Sequence, residues 1–265
     1  MKITTLIENL VYDKGLYAEH GLSFYIDSGY TRIVFDTGQS GLFYENSRKM
    51  GIDIRKADFL VISHGHYDHT GGISVFLEKN SLAKILIKPE AFLPKYKNNK
   101  KIGIPVKCKV PLKRQGTLKD ITEIAKNIYV FSKIKNYYKQ DRHIRDFFTG
   151  PENNIEQDLF QDELFICIIK NNKLHILSSC SHLGITNIIE TARRYFNLPV
   201  GSVIGGFHIK NAPDEPVNHI LNYLNEIKVE NIGVSHCTGI ENYFILKNKS
   251  TANVFYNHTG NNFEI

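Results

Sequence analysis

His64-Gly65-His66-Tyr67-Asp68-His69 follows directly on the apolar run Ala57-Asp58-Phe59-Leu60-Val61-Ile62-Ser63, and the reading of this junction decides the fold. The apolar run has the length and composition of a buried strand, and the histidines begin where it gives way to a polar loop. In an extended segment residues two apart point to the same side, so His64 and His66 can grip one metal ion. A turn then lets Asp68 and His69 face a second ion. Imidazole and carboxylate suit zinc, with iron and manganese as alternatives. Gly65 permits a tight backbone path, and Gly71-Gly72 lets a following helix start close to the loop. Two metals ~3.5–4 Å apart would hold a hydroxide between them and supply a nucleophile at neutral pH.

The same placement recurs further along. His64, His182, His208 and His236 each terminate a short apolar run that reads as a strand, with His66 and His69 just beyond the first. Polar groups at the carboxyl ends of strands gather at one sheet edge, where α/β proteins build their sites. One such histidine has an ordinary structural explanation; four separate strands ending this way point to a shared centre.

Around these positions the chain reads as β in its first part: residues 3–12, 21–29 and 31–38. A helix is expected near 41–50, another from Thr70-Gly71-Gly72 to Glu78, and a strand at 83–89. Residues 163–182 suit a hairpin turning at Asn171-Asn172. Helices near 185–196, 214–227 and 240–248 then alternate with strands at 200–208, 231–239 and 253–258. Residues 89–160, with scattered Pro, Lys, Asn and aromatics, give no clear periodicity. A β-rich first half with later alternation indicates sheets covered by helices.

The 265 residues, 42% hydrophobic and 23% charged, are ordinary globular composition and exclude a disordered or fibrous chain. The longest apolar run, Leu164 to Ile169, is far short of the ~20 residues of a membrane-spanning helix. No secretory signal is read at Met1, and Cys108, Cys167, Cys180 and Cys237 form no CxxC pair, so a reduced cytoplasm is the expected compartment. Charge is uneven. Eleven basic residues against the single Glu90 lie between Lys84 and Lys119, a local +10 within a net +6. Such a stretch can attract phosphates. Its plainer reading is a solvated surface insertion, and without aromatic interleaving it gives no reason to expect nucleic acid as a partner.

HGHYDH resembles the HxHxDH signature of the metallo-β-lactamase superfamily, whose fold is an αββα four-layer sandwich of two facing mixed sheets flanked by helices. AEHGLSF (18–24), FDTGQSG (35–41), SCSHLGITN (179–187), IGGFHI (204–209) and SHCTG (235–239) resemble one branch more closely. That branch is the dihydropterin-ribofuranosylaminobenzene-phosphate synthase-like one. The resemblance implies a single domain over 1–265, with a basic insertion at about 84–160. It implies His64, His66 and His182 on one metal, and Asp68, His69 and His236 on a second. Asp36 would orient the metal-binding loop, its alternative being a turn residue before Gly38, and Asp68 would also orient water or shuttle a proton.

One departure matters. Many two-metal members carry an aspartate at the fourth motif that bridges both ions. Here the strand ends in Gly205-Gly206-Phe207-His208, with no carboxylate until Asp214. A neutral imidazole offers one lone pair and cannot bridge. His208 is therefore read as a general acid or donor, with terminal ligation as the alternative, and the centre holds either two ions or fewer. Glu19 and His20 are candidates for the pocket lining, against a plain loop pair. Gln39 and Ser40 are candidate donors to a substrate phosphate, against a helix-start cap. Cys180 and Cys237 read as small buried residues.

The expected protein is a metallohydrolase of a small, phosphate-bearing molecule. Two alternatives stand beside it. One is the branch's synthase reaction, joining a dihydropterin diphosphate to a ribofuranosylaminobenzene phosphate. The other is a non-catalytic sensor that binds metal and ligand on the same fold. Oligomeric state leaves no mark in the sequence.

Overall fold

A computed structural model describes residues 1–105 and 109–265; Cys108, and Lys107 of the basic stretch, lie outside the described residues. In chain order the strands are β1 (Lys2–Ile7), β2 (Ser23–Asp27), β3 (Arg32–Phe35), β4 (Phe59–Val61), β5 (Lys84–Leu86), β6 (Lys95–Lys97), β7 (Lys100–Lys101), β8 (Ile121–Ala125) and β9 (Ile128–Phe131). They continue with β10 (Phe147–Thr149), β11 (Glu156–Gln157), β12 (Phe165–Lys170), β13 (Lys173–Leu177), β14 (Val200–Gly205), β15 (Asn231–Val234), β16 (Asn253–Tyr256) and β17 (Asn262–Glu264). The α-helices are α1 (Leu42–Lys49), α2 (Tyr67–Thr70), α3 (Ile73–Lys79), α4 (Ile185–Phe196), α5 (Asp214–Glu226) and α6 (Ile240–Lys249).

The chain divides into two compact units, the first built from residues 1–118, 145–162 and 258–265, the second from 119–144 and 163–257. The first unit holds a six-stranded sheet in the order β17-β1-β2-β3-β4-β5. Its pairs are antiparallel up to β3 and parallel from β3 to β5. Leu6, Tyr25, Val34, Leu60 and Ile85 from these strands pack with Phe43 of α1 and Ile73 and Phe76 of α3 in one apolar core. Burial of such side chains, worth roughly 1.5–3 kcal/mol each, fixes α1 and α3 on this face. A smaller four-stranded ribbon, β11-β10-β6-β7, is folded from the segment that gave no periodicity in the sequence. The stretch read as a basic insertion begins with β5, an integral strand of the six-stranded sheet.

The second unit is built on a seven-stranded sheet, β16-β15-β14-β13-β12-β9-β8. Strands β13 to β16 run parallel, so their carboxyl ends share one edge, and β12, β9 and β8 complete the sheet antiparallel. The hairpin of β12 and β13 turns at Asn171 and Asn172 with φ of 52° and 56°. That left-handed pair is the signature of a type I′ turn, whose twist matches the flanking strands. Ile185, Ile188, Ile189 and Ala192 of α4 and Val217, Ile220, Leu221 and Leu224 of α5 pack on Ile176, Val203 and Ile232 of the sheet. Among the described residues no helix is long and apolar enough to cross a membrane.

Candidate metal centre

His64, His182 and His208 stand in loops beyond strand ends, and His236 opens a short 3-10 turn after β15. β4 stops at Val61, three residues before His64; β14 stops at Gly205 before His208, and β15 at Val234 before His236. β13 ends at Leu177, five residues before His182.

In the first unit, His64 Nε2 and His66 Nδ1 face each other at 3.0 Å. The neighbours of the loop decide which nitrogens are available. Asp36 Oδ1 accepts from the Ser63 backbone N–H at 2.7 Å, and its Oδ2 accepts from the Ser63 hydroxyl at 2.7 Å. With its proton committed to Asp36, the Ser63 oxygen accepts from His64 Nδ1 at 2.8 Å, which leaves a lone pair on His64 Nε2. Asp36 Oδ2 also accepts from His69 Nδ1 at 2.9 Å, and so presents His69 Nε2 in the same way. One buried carboxylate therefore sets the tautomers of two imidazoles, the arrangement carboxylates provide behind metal-ligating histidines. Asp36 holds φ 60°, a left-handed conformation that Asp adopts more readily than most residues.

Asp68 and His69 lie in α2, the single helical turn after the loop. Asp68 Oδ2 stands 3.1 Å from His20 Nε2 and 3.8 Å from His69 Nε2. His20 is thereby placed on the metal loop's acid. Glu19 does something different: its carboxylate accepts from the Gln39 and Ser40 backbone N–H groups, both at 3.0 Å, and from the Ser40 hydroxyl at 2.6 Å. Glu19 thus engages the Ser40 hydroxyl and the Gln39 and Ser40 backbone N–H groups, and Ser40 Oγ also accepts from Leu42 N at the start of α1.

Burial keeps the His64 and His66 imidazoles neutral. Burial holds His64 well below the usual histidine range, helped by His69 and His66, and burial pushes His66 down to about 3. Neutral imidazole is the form that binds metal.

Sequence reasoning missed what holds this loop in place. Gly65 N donates to Asp162 Oδ2 at 2.7 Å, and a Cβ on Gly65 would run into the Ala91 backbone. Close approach, more than a special φ, is what requires glycine here. Asp162 Oδ1 in turn accepts from Lys95 Nζ at 2.9 Å, and Lys95 also donates to Asp158 at 2.7 Å. Lys95 is 2% exposed, and Arg114 is 8% exposed with its guanidinium on the Ala83 and Asn80 carbonyls. These two residues correct the reading of the basic stretch as solvated throughout: an unpaired buried charge is so costly that each is locked to oxygen partners. Nothing in a run of eleven lysines and arginines distinguishes them.

In the second unit, the loops after β13, β14 and β15 carry His182, His208 and His236. Glu163 Oε1 accepts from His182 N and its Oε2 from Leu183 N, both at 2.7 Å, a clamp that the charged pair Asp162-Glu163 before a buried strand could have signalled. The His182 and His208 rings lie 4.2 Å apart, and the His143 ring, which sequence gave no role, stands 5.4 Å from His208. Donor atoms of Cys180, His182 and His208 fall within 4.8 Å of one another, as do those of Cys180, His236 and Cys237. The donor chemistry of the two units, imidazoles with a carboxylate in the first and with thiols in the second, fits a divalent metal of the zinc kind.

A model of the metallo-beta-lactamase superfamily matches residues 16–120. The crystal structure of Tm1679, a metal-dependent hydrolase of the beta-lactamase superfamily, is 31% identical, with a TM-score of 0.87 covering 100% of this chain and 99% of that one. The chain belongs to the metallo-β-lactamase superfamily. The metallo-β-lactamase fold protein YhfI from Bacillus subtilis shares the fold at 12% identity, with a TM-score of 0.59 over 100% of this chain and 99% of that one. An uncharacterized protein of Methanocaldococcus jannaschii is 30% identical over 97% of this chain and 98% of its own length. The 7,8-dihydropterin-6-methyl-4-(beta-D-ribofuranosyl)-aminobenzene-5'-phosphate synthase of the same organism is 28% identical over 92% of this chain and 90% of its length. The family and branch resemblances drawn from HGHYDH and its companion motifs are thus borne out. Membership in this metallo-β-lactamase family implies a divalent metal and a small-molecule substrate.

Proposed function

We propose that the protein is a metal-dependent hydrolase acting on a small, phosphate-bearing substrate. The observation that carries this reading is the pair of buried, neutral nitrogens His64 Nε2 and His66 Nδ1, 3.0 Å apart, with Asp36 fixing the tautomer of His64 through Ser63. The ligands would be those the family pattern implies: His64, His66 and His182 for one ion, and Asp68, His69 and His236 for a second, with zinc as the metal. Bound divalent metal would polarise a substrate oxygen and acidify a water toward neutrality.

The chain's own groups then have distinct tasks. Asp68 orients the attacking water and takes its proton. His20, 3.1 Å away and with its side chain 54% exposed, gives that proton a route to solvent. His208, half-buried beside the His182 and His143 rings, donates to the substrate oxygen on which charge develops. The basic stretch after Lys84 attracts the phosphate.

Screening bis(p-nitrophenyl) phosphate, lactones and thioesters tests this. Turnover abolished by chelation and restored by zinc supports it; inertness of the metal-loaded protein toward every class overturns it. The likeness to the synthase favours a second reading, a transferase that would release pyrophosphate only when a dihydropterin diphosphate and its aryl partner are both present.

A further inference from the structure

Many two-metal relatives of this fold bridge their ions with a fourth-motif aspartate, and this chain has Gly205-Gly206-Phe207-His208 there. The second unit contains another group with the chemistry to take that place. Cys180 Sγ lies within 4.8 Å of donor nitrogens of His182 and His208, and within 4.8 Å of His236 and Cys237 donors. It is common to both sets, and those sets are otherwise disjoint. We propose that Cys180 is a metal ligand, its thiolate shared between two metal ions, with Cys237 a second thiolate on the ion bound by His236. The inference rests on the metal-dependent reading above and names a ligand set that the histidine pattern does not include.

Chemistry and geometry agree on this role. An imidazole nitrogen has one lone pair, whereas a thiolate sulfur has more than one and can contact two ions at once. Zn–S bonds of ~2.3 Å to each ion are compatible with a separation of ~3.5–4 Å. Cys180 is 3% exposed, so its sulfur sits in the water-poor surroundings that favour charge-neutralising ligation. Cys237 is partly buried, and its thiol donates to the Cys180 carbonyl at 3.6 Å.

The loops that carry these sulfurs are tied to one another. Ser181 Oγ donates to Gly206 O at 2.7 Å, Gly206 N donates to Ser179 O at 2.9 Å, and Ser235 N donates to Gly205 O at 3.0 Å. A Cβ at Gly206 would lie 2.6 Å from Cys237 Sγ, so the glycine makes room for the thiol. Cys167, by contrast, lies in β12 within the apolar core and joins neither donor set. The consequence is a preference: thiolate ligands shift a site toward zinc, cobalt and cadmium and away from manganese and magnesium.

Cobalt(II) alone, added to the metal-free full-length protein, tests the assignment by absorption, because only sulfur ligation gives an intense thiolate-to-cobalt band in the near ultraviolet. Wild type is expected to show that band, growing up to two cobalt per chain. Cys180→Ser is expected to lose most of it and to bind cobalt at least tenfold more weakly. Cys237→Ser should lose the part belonging to one equivalent, and Cys167→Ala should keep the whole band. Cys180→Ala and thermal melts of each metal-free variant separate loss of a ligand from loss of the fold. Cobalt bound by wild type with no thiolate band overturns the sulfur assignment and leaves the histidine centre standing. No cobalt bound at all overturns both.

Discussion

Asp36 Oδ2 holds His69 Nδ1 at 2.9 Å while the same carboxylate reaches His64 through the Ser63 hydroxyl. Its removal should therefore act on metal affinity before it acts on chemistry. Asp36→Asn tolerates the left-handed backbone but loses the charge and one of the acceptors, and metal affinity should fall about 10- to 100-fold. Competition with a chromogenic chelator measures it. Unchanged affinity would reduce Asp36 to a turn residue.

Metal content is the second prediction. Purified wild-type protein should carry about two ions per chain, and His64→Ala and His236→Ala should each carry fewer. One ion lost only with His64 would indicate mononuclear chemistry and favour the synthase reading. Elemental analysis of the three proteins side by side decides.

Lys95 is buried between Asp158 and Asp162, and the carboxylates raise its affinity for its proton against the opposing effect of burial. Lys95→Met strands two buried acids and should cost about 3–5 kcal/mol of unfolding free energy. Adding Asp162→Asn to Lys95→Met should recover part of that loss while loosening the grip on Gly65 N. Chemical denaturation of the single and double variants tests the coupling.

These results bear on what could be read from residues alone. The hairpin at Asn171-Asn172, the helices of the second half and the recurrence of histidine beyond strand ends were legible, because each rests on local turn chemistry or on periodicity. The ribbon of β6, β7, β10 and β11 was not. Its strands are two or three residues long, and β6 pairs with β10 about fifty positions away, so no local pattern announces them. The same holds for the supports of the site: Lys95, Asp158 and Ser63 act through partners distant in sequence or through a hydroxyl with no motif of its own. The candidate metal-ligating residues and Asp36 stood out in the sequence, and these further supports did not.

His175 offers a pH test removed from the metal loops. It lies in β13 with Nδ1 on Ser202 Oγ at 2.9 Å, and burial holds it below the ordinary 6.5. The unfolded chain therefore takes up a proton here before the folded one does. Its contribution to stability is complete above about pH 6.5 and is lost as pH falls toward the depressed folded value. Denaturation midpoints of metal-free wild type and His175→Gln between pH 7.5 and 5 should show a shallower decline in the variant. Parallel curves would contradict it.

The turn between β12 and β13 should accept glycine. Asn172 has φ 56°, so Asn172→Gly relieves a left-handed strain and matches the preferred Asn-Gly pair. A gain of about 0.5 kcal/mol, read as a small rise in Tm, is expected.

The internal commitment of Lys95 and Arg114 has a kinetic consequence. A cation enclosed between carboxylates, or ringed by carbonyls, projects little field beyond the molecule. The attraction that the 84–119 stretch exerts on an approaching anion comes from exposed lysines such as Lys84, Lys100, Lys109, Lys113 and Lys119, whose charges are screened over roughly 10 Å at 0.1 M salt. Capture of an anionic substrate would then slow with ionic strength, while the two enclosed cations go on shaping the protein at any salt concentration. One run of like charges thus divides its labour between architecture and long-range steering.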